Sequence, residues 1–139
     1  MNWSEIVKLL GNCDIKGEKI FINSNLYETV KLIKDTYHFD LLKNITAIDR
    51  GDSIELDYYL YSTKDNENII ISILTNQEIE SLYNLFDSAC ADEKEIYDLF
   101  GIKFVGNPEL KRLYMPESWK GHPLKKDYVE KDERLRWND

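Results

Sequence analysis

The chain has 139 residues, of which 42% are hydrophobic and 32% charged, with a formal net charge of −8. That length supports one domain, which at this size buries roughly 68–70% of its unfolded surface, and no apolar run approaches the ~20 residues needed to cross a bilayer. Residues 1–102 hold nine Lys and Arg against nineteen Asp and Glu, and residues 103–139 hold nine against seven. The acidic body argues against nucleic-acid binding, which wants a basic patch; the faintly basic tail suits an acidic groove on a protein partner. Met1-Asn2-Trp3-Ser4-Glu5 shows neither a basic leader nor a signal-peptide core. The expectation is a cytoplasmic chain that reaches the inner face of a membrane only through a partner, with no direct membrane insertion.

Trp3, Ile6, Val7 and Leu10 follow helical spacing, and Gly11 stops the short amphipathic helix they define. Glu18 to Asn23 reads as a first strand. Ser24 or Asn25 then caps a helix on which Leu26, Val30, Ile33 and Tyr37 step by four, three and four. Leu41 to Asp49 gives a second strand, ended by the turn signal Asp49-Arg50-Gly51-Asp52. Ser53 to Tyr61 alternates, with Ile54, Leu56, Tyr58 and Leu60 on one face and Glu55, Asp57, Tyr59 and Tyr61 on the other, as a half-buried antiparallel strand does. A turn over Lys64 to Asn68 leads to a fourth strand, Ile69 to Leu74. Gln77 to Ala91 leans helical, with Leu82, Leu85 and Phe86 inward. The expected class is α+β: a small mixed or antiparallel sheet of about four strands with helices on one face. Strands one and two would be joined through the helix by a right-handed crossover if they pair in parallel, and strands two to four would form a meander.

The chain is organised around Ala91 to Ile102. Glu93, Glu95 and Asp98 crowd three carboxylates into six residues, between Ile96, Tyr97, Leu99 and Phe100. As a helix, this segment puts Ile96, Leu99 and Phe100 on one face, with Asp92 capping its start and Gly101 ending it. Tyr97 falls off that face, so a large aromatic and several acids are expected to point outward. The tail from Phe104 to Tyr128 carries all three prolines, Pro108, Pro116 and Pro123, each fixing its own φ and biasing its predecessor toward extension. It also carries Phe104, Leu110, Leu113, Tyr114, Met115, Trp119, Leu124 and Tyr128, too many large apolar groups for a solvated linker. Residues 1–102 are therefore read as the α+β domain and residues 103–139 as an extended, proline-containing docking arm.

The usual signs of catalysis are missing. No glycine-rich phosphate loop and no G-x-S-x-G occurs. Cys13 and Cys90 stand alone, whereas zinc and cluster sites need around four ligands; no cofactor is expected in this chain. His38 reads as a solvated or end-capping residue. His122 with Asp127 could form a general-acid pair, but an extended arm offers no nucleophile, and a positioning hydrogen bond at an interface fits better. Glu93, Glu95 and Asp98 could in principle hold a divalent cation, though on a helix 93 and 95 point apart, and ion pairing to basic groups of the tail or a partner is preferred. No catalytic and no metal-binding residue is assigned. Lys111-Arg112 and Lys125-Lys126, flanked by Leu110, Leu113 and Leu124, read as interface contacts.

Glu93-Lys94-Glu95-Ile96-Tyr97-Asp98-Leu99-Phe100-Gly101-Ile102-Lys103-Phe104-Val105-Gly106-Asn107-Pro108-Glu109-Leu110-Lys111-Arg112, followed by Gly121-His122-Pro123-Leu124-Lys125-Lys126-Asp127-Tyr128, resembles the signature of one family. This is the 30 kDa-type subunit of respiratory complex I and of its relatives, the membrane-bound energy-converting NiFe hydrogenases. The family pattern is E-R-E-x-x-D-x-F/Y-G-I-x-F-x-G-H-P-x-L-R-R and then G-H-P-L-R-K-D-Y/F. Its departures from that pattern include Lys94 and Lys125, where Arg is usual, and Asn107, where His is usual; Lys lacks the planar fork of Arg.

The resemblance implies a cofactor-free, non-catalytic assembly subunit of the cytoplasmic arm, docked on the large catalytic subunit, with NiFe and iron–sulfur clusters in neighbouring chains. The docking residues it implies, with the tail, are Glu93, Glu95, Tyr97, Asp98, Phe100, Gly101, Phe104 and Pro108, then Leu110, Arg112, Trp119, Gly121, His122, Pro123, Leu124, Lys125, Lys126, Asp127 and Tyr128. The compact length looks more like a ferredoxin-dependent hydrogenase branch than a respiratory NADH:quinone oxidoreductase. Competing readings are that respiratory subunit, a stand-alone enzyme using His122 and Asp127, and a free-standing acidic adaptor for an electron carrier. Acidic ferredoxins would be repelled by the acidic body, which counts against the adaptor.

Overall fold

A computed structural model describes residues 3–11 and 13–109 of the chain. The elements run α1 (Trp3–Leu10), β1 (Cys13–Lys16), β2 (Lys19–Ile22), α2 (Leu26–Tyr37), β3 (Leu41–Asp49), β4 (Ile54–Ser62), β5 (Glu67–Thr75), β6 (Glu78–Glu80), α3 (Ala89–Phe100) and β7 (Lys103–Val105). Among the described residues no helix is long and apolar enough to cross a membrane.

β1 to β5 form one mixed sheet in the order β1-β2-β5-β4-β3, and β6 and β7 make a separate parallel pair. The α+β class holds, with one more strand in the main sheet than expected. The extra strand is β1, which turns through Gly17 at φ 63° into an antiparallel hairpin with β2. The meander of β3, β4 and β5 is present, with β4 antiparallel to both neighbours.

The strands read from the sequence as first and second, β2 and β3, are not neighbours, so the condition for a crossover between them is not met. β2 pairs in parallel with β5 instead, while α2 carries the chain across to β3 at the far edge. Local sequence gives a strand its pattern but not its neighbour, and the meander that follows brings β5 back beside β2.

The periodic apolar residues fill the core as their spacing requires. Leu26, Val30 and Ile33 of α2 are buried against Ile20 and Ile22 of β2, Leu56, Tyr58 and Leu60 of β4, and Ile71 and Ile73 of β5. Fully burying a side chain of this size stabilises by roughly 1.5–3 kcal/mol. β4 departs from the half-buried expectation, because Glu55 and Asp57 on its other face are only 3% and 1% exposed. Lys19, reaching over from β2, places Nζ 2.7 Å from an oxygen of each. Arg50 pairs with Glu55 at 3.0 Å, and Ser72 Oγ donates to Asp57 at 2.7 Å.

Gln77 to Ala91 is not a helix. It is β6, then a tight turn in which Leu85 and Phe86 N–H both donate to Leu82 O, and then the first turn of α3. The inward set is nonetheless right: Leu82 and Phe86 are buried and Leu85 is half-buried. Lys103–Val105, assigned by sequence to the arm, forms β7 alongside β6.

A candidate docking site at helix α3 and the root of the arm

Helix α3 starts one residue after Ser88 rather than at Asp92. Neither residue caps the helix with its side chain; both instead hold the edge strand β3. Ser88 Oγ donates to Leu42 O at 3.0 Å, and Asp92 Oδ2 accepts Ile45 N–H at 3.2 Å. These bonds satisfy edge groups that would otherwise template pairing with another chain. Burial pushes the Asp92 carboxyl up from its ordinary value, partly offset by the Ile45 N–H. At the other end the helix stops as expected: Gly101 takes φ 80° and donates its N–H to Tyr97 O at 3.0 Å.

The carboxylates expected to point outward do not all do so. Glu93 and Asp98 are fully buried. Glu93 faces the end of β6, where Ser81 Oγ and Leu82 N–H donate to it at 2.6 and 2.8 Å, and Asn107 Nδ2 donates at 2.9 Å. Desolvation by burial raises its pKa, against three donors that favour the charged form. The sequence carried no sign of this, because the three partners become neighbours only when β6 and β7 pair.

Phe104 is also interior. Glu95, Tyr97, Leu99, Phe100 and Gly101 are half-buried, and Pro108 and Val105 are exposed, the latter at 50%. The side chains open to solvent are those of this second group, while Glu93, Asp98 and Phe104 lie beneath the surface. Ser81, which no sequence pattern singled out, and Asn107, marked in the sequence only as a departure from the signature, belong to the same inner layer. Leu110, Arg112, Trp119, Gly121, His122, Pro123, Leu124, Lys125, Lys126, Asp127 and Tyr128 lie outside the described residues.

The other candidates are dispersed. Cys13 and Cys90 are both free thiols, on β1 and α3. Among the described residues no group of three or more His, Cys, Asp and Glu is arranged to hold a metal ion. His38 ends α2 in the left-handed conformation and caps it with its backbone N–H on Lys34 O.

A profile of the family described as "Respiratory-chain NADH dehydrogenase, 30 Kd subunit" matches residues 21–134. The chain is 31% identical to the C-type subunit of NADH-quinone oxidoreductase from a Roseiflexus species, over 86% of this chain and 74% of that one. It is 33% identical to the J-type subunit of NAD(P)H-quinone oxidoreductase from Prochlorococcus marinus, over 78% and 68%. It is 34% identical to the C/D-type subunit of NADH-quinone oxidoreductase from Phocaeicola vulgatus over 80% of its own length, but it spans only 22% of that longer protein. In three dimensions it is similar to a chain of the membrane-bound sulfane sulfur reductase, an archaeal respiratory membrane complex. There the TM-score is 0.78 at 18% identity, covering 91% of this chain and 82% of the other, which speaks for the fold. The chain belongs to the family of the 30 kDa subunit of respiratory-chain NADH dehydrogenase.

Proposed function

We propose that this chain is a non-catalytic docking subunit in the cytoplasmic arm of a complex-I-like membrane-bound oxidoreductase, seated on the large catalytic subunit. The observation that carries this reading is the use made of Glu93. It is the best-placed acid of the signature, yet its carboxylate is enclosed and engaged by Ser81, Leu82 and Asn107. A group so placed braces the surface above it and has no access to a substrate. Tyr97, Leu99, Phe100 and Val105 remain partly or fully open to solvent nearby in the chain, and are aromatic and aliphatic residues of the kind from which interface anchors are drawn. The C/D-type relatives supply independent support, since in them the matched portion is about a fifth of one polypeptide whose name joins C and D. Nickel–iron and iron–sulfur chemistry is then assigned to neighbouring chains, and the role left to this one is rigid placement at the inner face of the membrane.

Two branches compete for the finer assignment. The signature is common to both branches, and the relatives above 30% identity bear NADH-quinone or NAD(P)H-quinone names, which favours a quinone-reducing complex over a ferredoxin-dependent energy-converting hydrogenase. One experiment separates them: purification of the tagged full-length chain from native membranes, with mass spectrometry of the associated chains. A large oxidoreductase subunit is expected. A nickel–iron subunit beside it identifies the hydrogenase branch, and NADH- and quinone-site subunits the other. Recovery of the chain alone would refute the docking function.

A further inference from the structure

Helix α3 and the root of the arm meet around Glu109. Its backbone N–H donates to Asn107 Oδ1 at 2.9 Å. Its carboxylate accepts the Cys90 thiol at 3.1 Å and lies 4.0 Å from Lys94 Nζ. Asn107 is held from its other side as well, since Nδ2 donates to the buried Glu93 Oε1 at 2.9 Å and the residue is only 8% exposed. The backbone reaches this point through Gly106 at φ 101°, a value that favours glycine, and Asn107 N–H closes the turn on Phe104 O at 3.3 Å. A primary amide has donors at one end and an acceptor at the other. Here it joins an interior carboxylate to the first peptide group of the arm and fixes the rotation that the glycine leaves free.

We propose that Asn107, assisted by Lys94, is the positioning residue that sets the direction in which the chain leaves the body at Glu109, and with it the geometry in which the arm meets a partner subunit. Only the last clause rests on the docking function proposed above. The argument is one of hydrogen-bond chemistry. An apolar residue at 107 would strip Glu93 of one donor and Glu109 N–H of its acceptor, whereas space-filling alone would ask for no polarity there. The directing bond is the one that Asn107 Oδ1 accepts from the Glu109 N–H.

The test begins with the full-length wild-type chain, whose Glu109 amide should exchange with solvent at least about tenfold more slowly than an open peptide, the factor carried by one ordinary hydrogen bond. An unprotected amide there would overturn the proposal without any variant. N107A should then speed exchange of the Glu109 amide by about tenfold while β4 and β5 stay within about twofold. N107H should restore slow exchange, because a neutral imidazole also has one donor and one acceptor nitrogen. Acceleration spread equally over the sheet, or none at Glu109, would refute a directing role. For the docking clause, tagged wild-type, N107A and N107H chains are expressed in the native host, and the large oxidoreductase subunit recovered with each is quantified. About a tenfold loss with N107A, repaired by N107H, is expected; equal recovery would overturn the clause. If the wild-type chain recovers no such subunit, the docking function falls, and the exchange data still decide whether Asn107 directs the arm.

Discussion

Asp92 on α3 accepts the backbone N–H of Ile45 on β3 at 3.2 Å, so the helix that carries the signature also seals the outer edge of the sheet. The same edge is tied by Ser88 at Leu42 O. The start of α3 and the edge strand β3 are thereby tied at two points.

Replacing Asp92 by Ala should cost about 1–2 kcal/mol, the usual penalty for leaving a part-buried N–H without its acceptor. Urea unfolding of the full chain checks this. The variant should also self-associate more readily at high concentration, because β3 then presents an open edge. Unchanged stability would show that the Asp92–Ile45 bond does not hold the edge.

Glu93→Ala should be the most damaging single change at the site, at about 3 kcal/mol or more, since it strands several enclosed donors and opens a cavity. Glu93→Gln keeps the volume but puts N–H₂ against at least one donor, and should fall between Ala and wild type. Thermal denaturation of the three chains gives the order; a Gln variant as stable as wild type would remove the charge from the account.

Much of this arrangement could be read from the sequence, and the boundary has a physical cause. Leu26, Val30 and Ile33 announced α2 because a helix is a local object with its own period. Gly101 announced the end of α3 because a left-handed cap favours glycine. Glu93 misled, because its burial depends on Ser81 and Asn107, which approach it only after β6 and β7 have paired. β1 stayed invisible for the opposite reason: it has four residues and a largely exposed face, so no alternation develops. In Gln77 to Ala91 the apolar residues Leu82, Leu85 and Phe86 fit a helix and a buried turn equally well. The donors consumed by Leu82 O decided for the turn.

Glu55 and Asp57, neighbours on one face of β4, should respond to pH in opposite ways. Burial alone would raise both. Glu55 nevertheless ends below its ordinary value, because hydrogen bonds from Asp57, Lys19 and Arg50 outweigh burial. Asp57 ends above its own, through burial and the adjacent Glu55. The stabilisation from Glu55 is thus present above its unfolded pKa and lost as pH falls through the depressed one. The contribution of Asp57 is present below its unfolded pKa and lost as pH rises through the raised one. Glu55→Gln should therefore destabilise most near neutral pH and least in acid, and Asp57→Asn should compare more favourably with wild type as pH rises. Urea midpoints from pH 3 to 8 measure both; parallel curves for the two variants would contradict the assignment.

Tyr58 is fully buried among the core residues beneath the helices, and its hydroxyl has no hydrogen-bond partner among the described residues. Burial pushes its pKa well above the usual tyrosine value, with the charges of Glu93 and Glu80 adding to the effect, so the group stays neutral at any ordinary pH. A buried, unpaired hydroxyl costs about 1–3 kcal/mol relative to one that is satisfied. Removing it while keeping the ring should leave the packing of β4 intact. Tyr58→Phe is accordingly expected to match or exceed wild type in stability, by up to about 1 kcal/mol, in contrast to the losses at Asp92 and Glu93. Thermal melting of the full chain decides it: a fall of more than about 1 kcal/mol would mean that the hydroxyl is bonded in solution and belongs to the polar layer around Glu93.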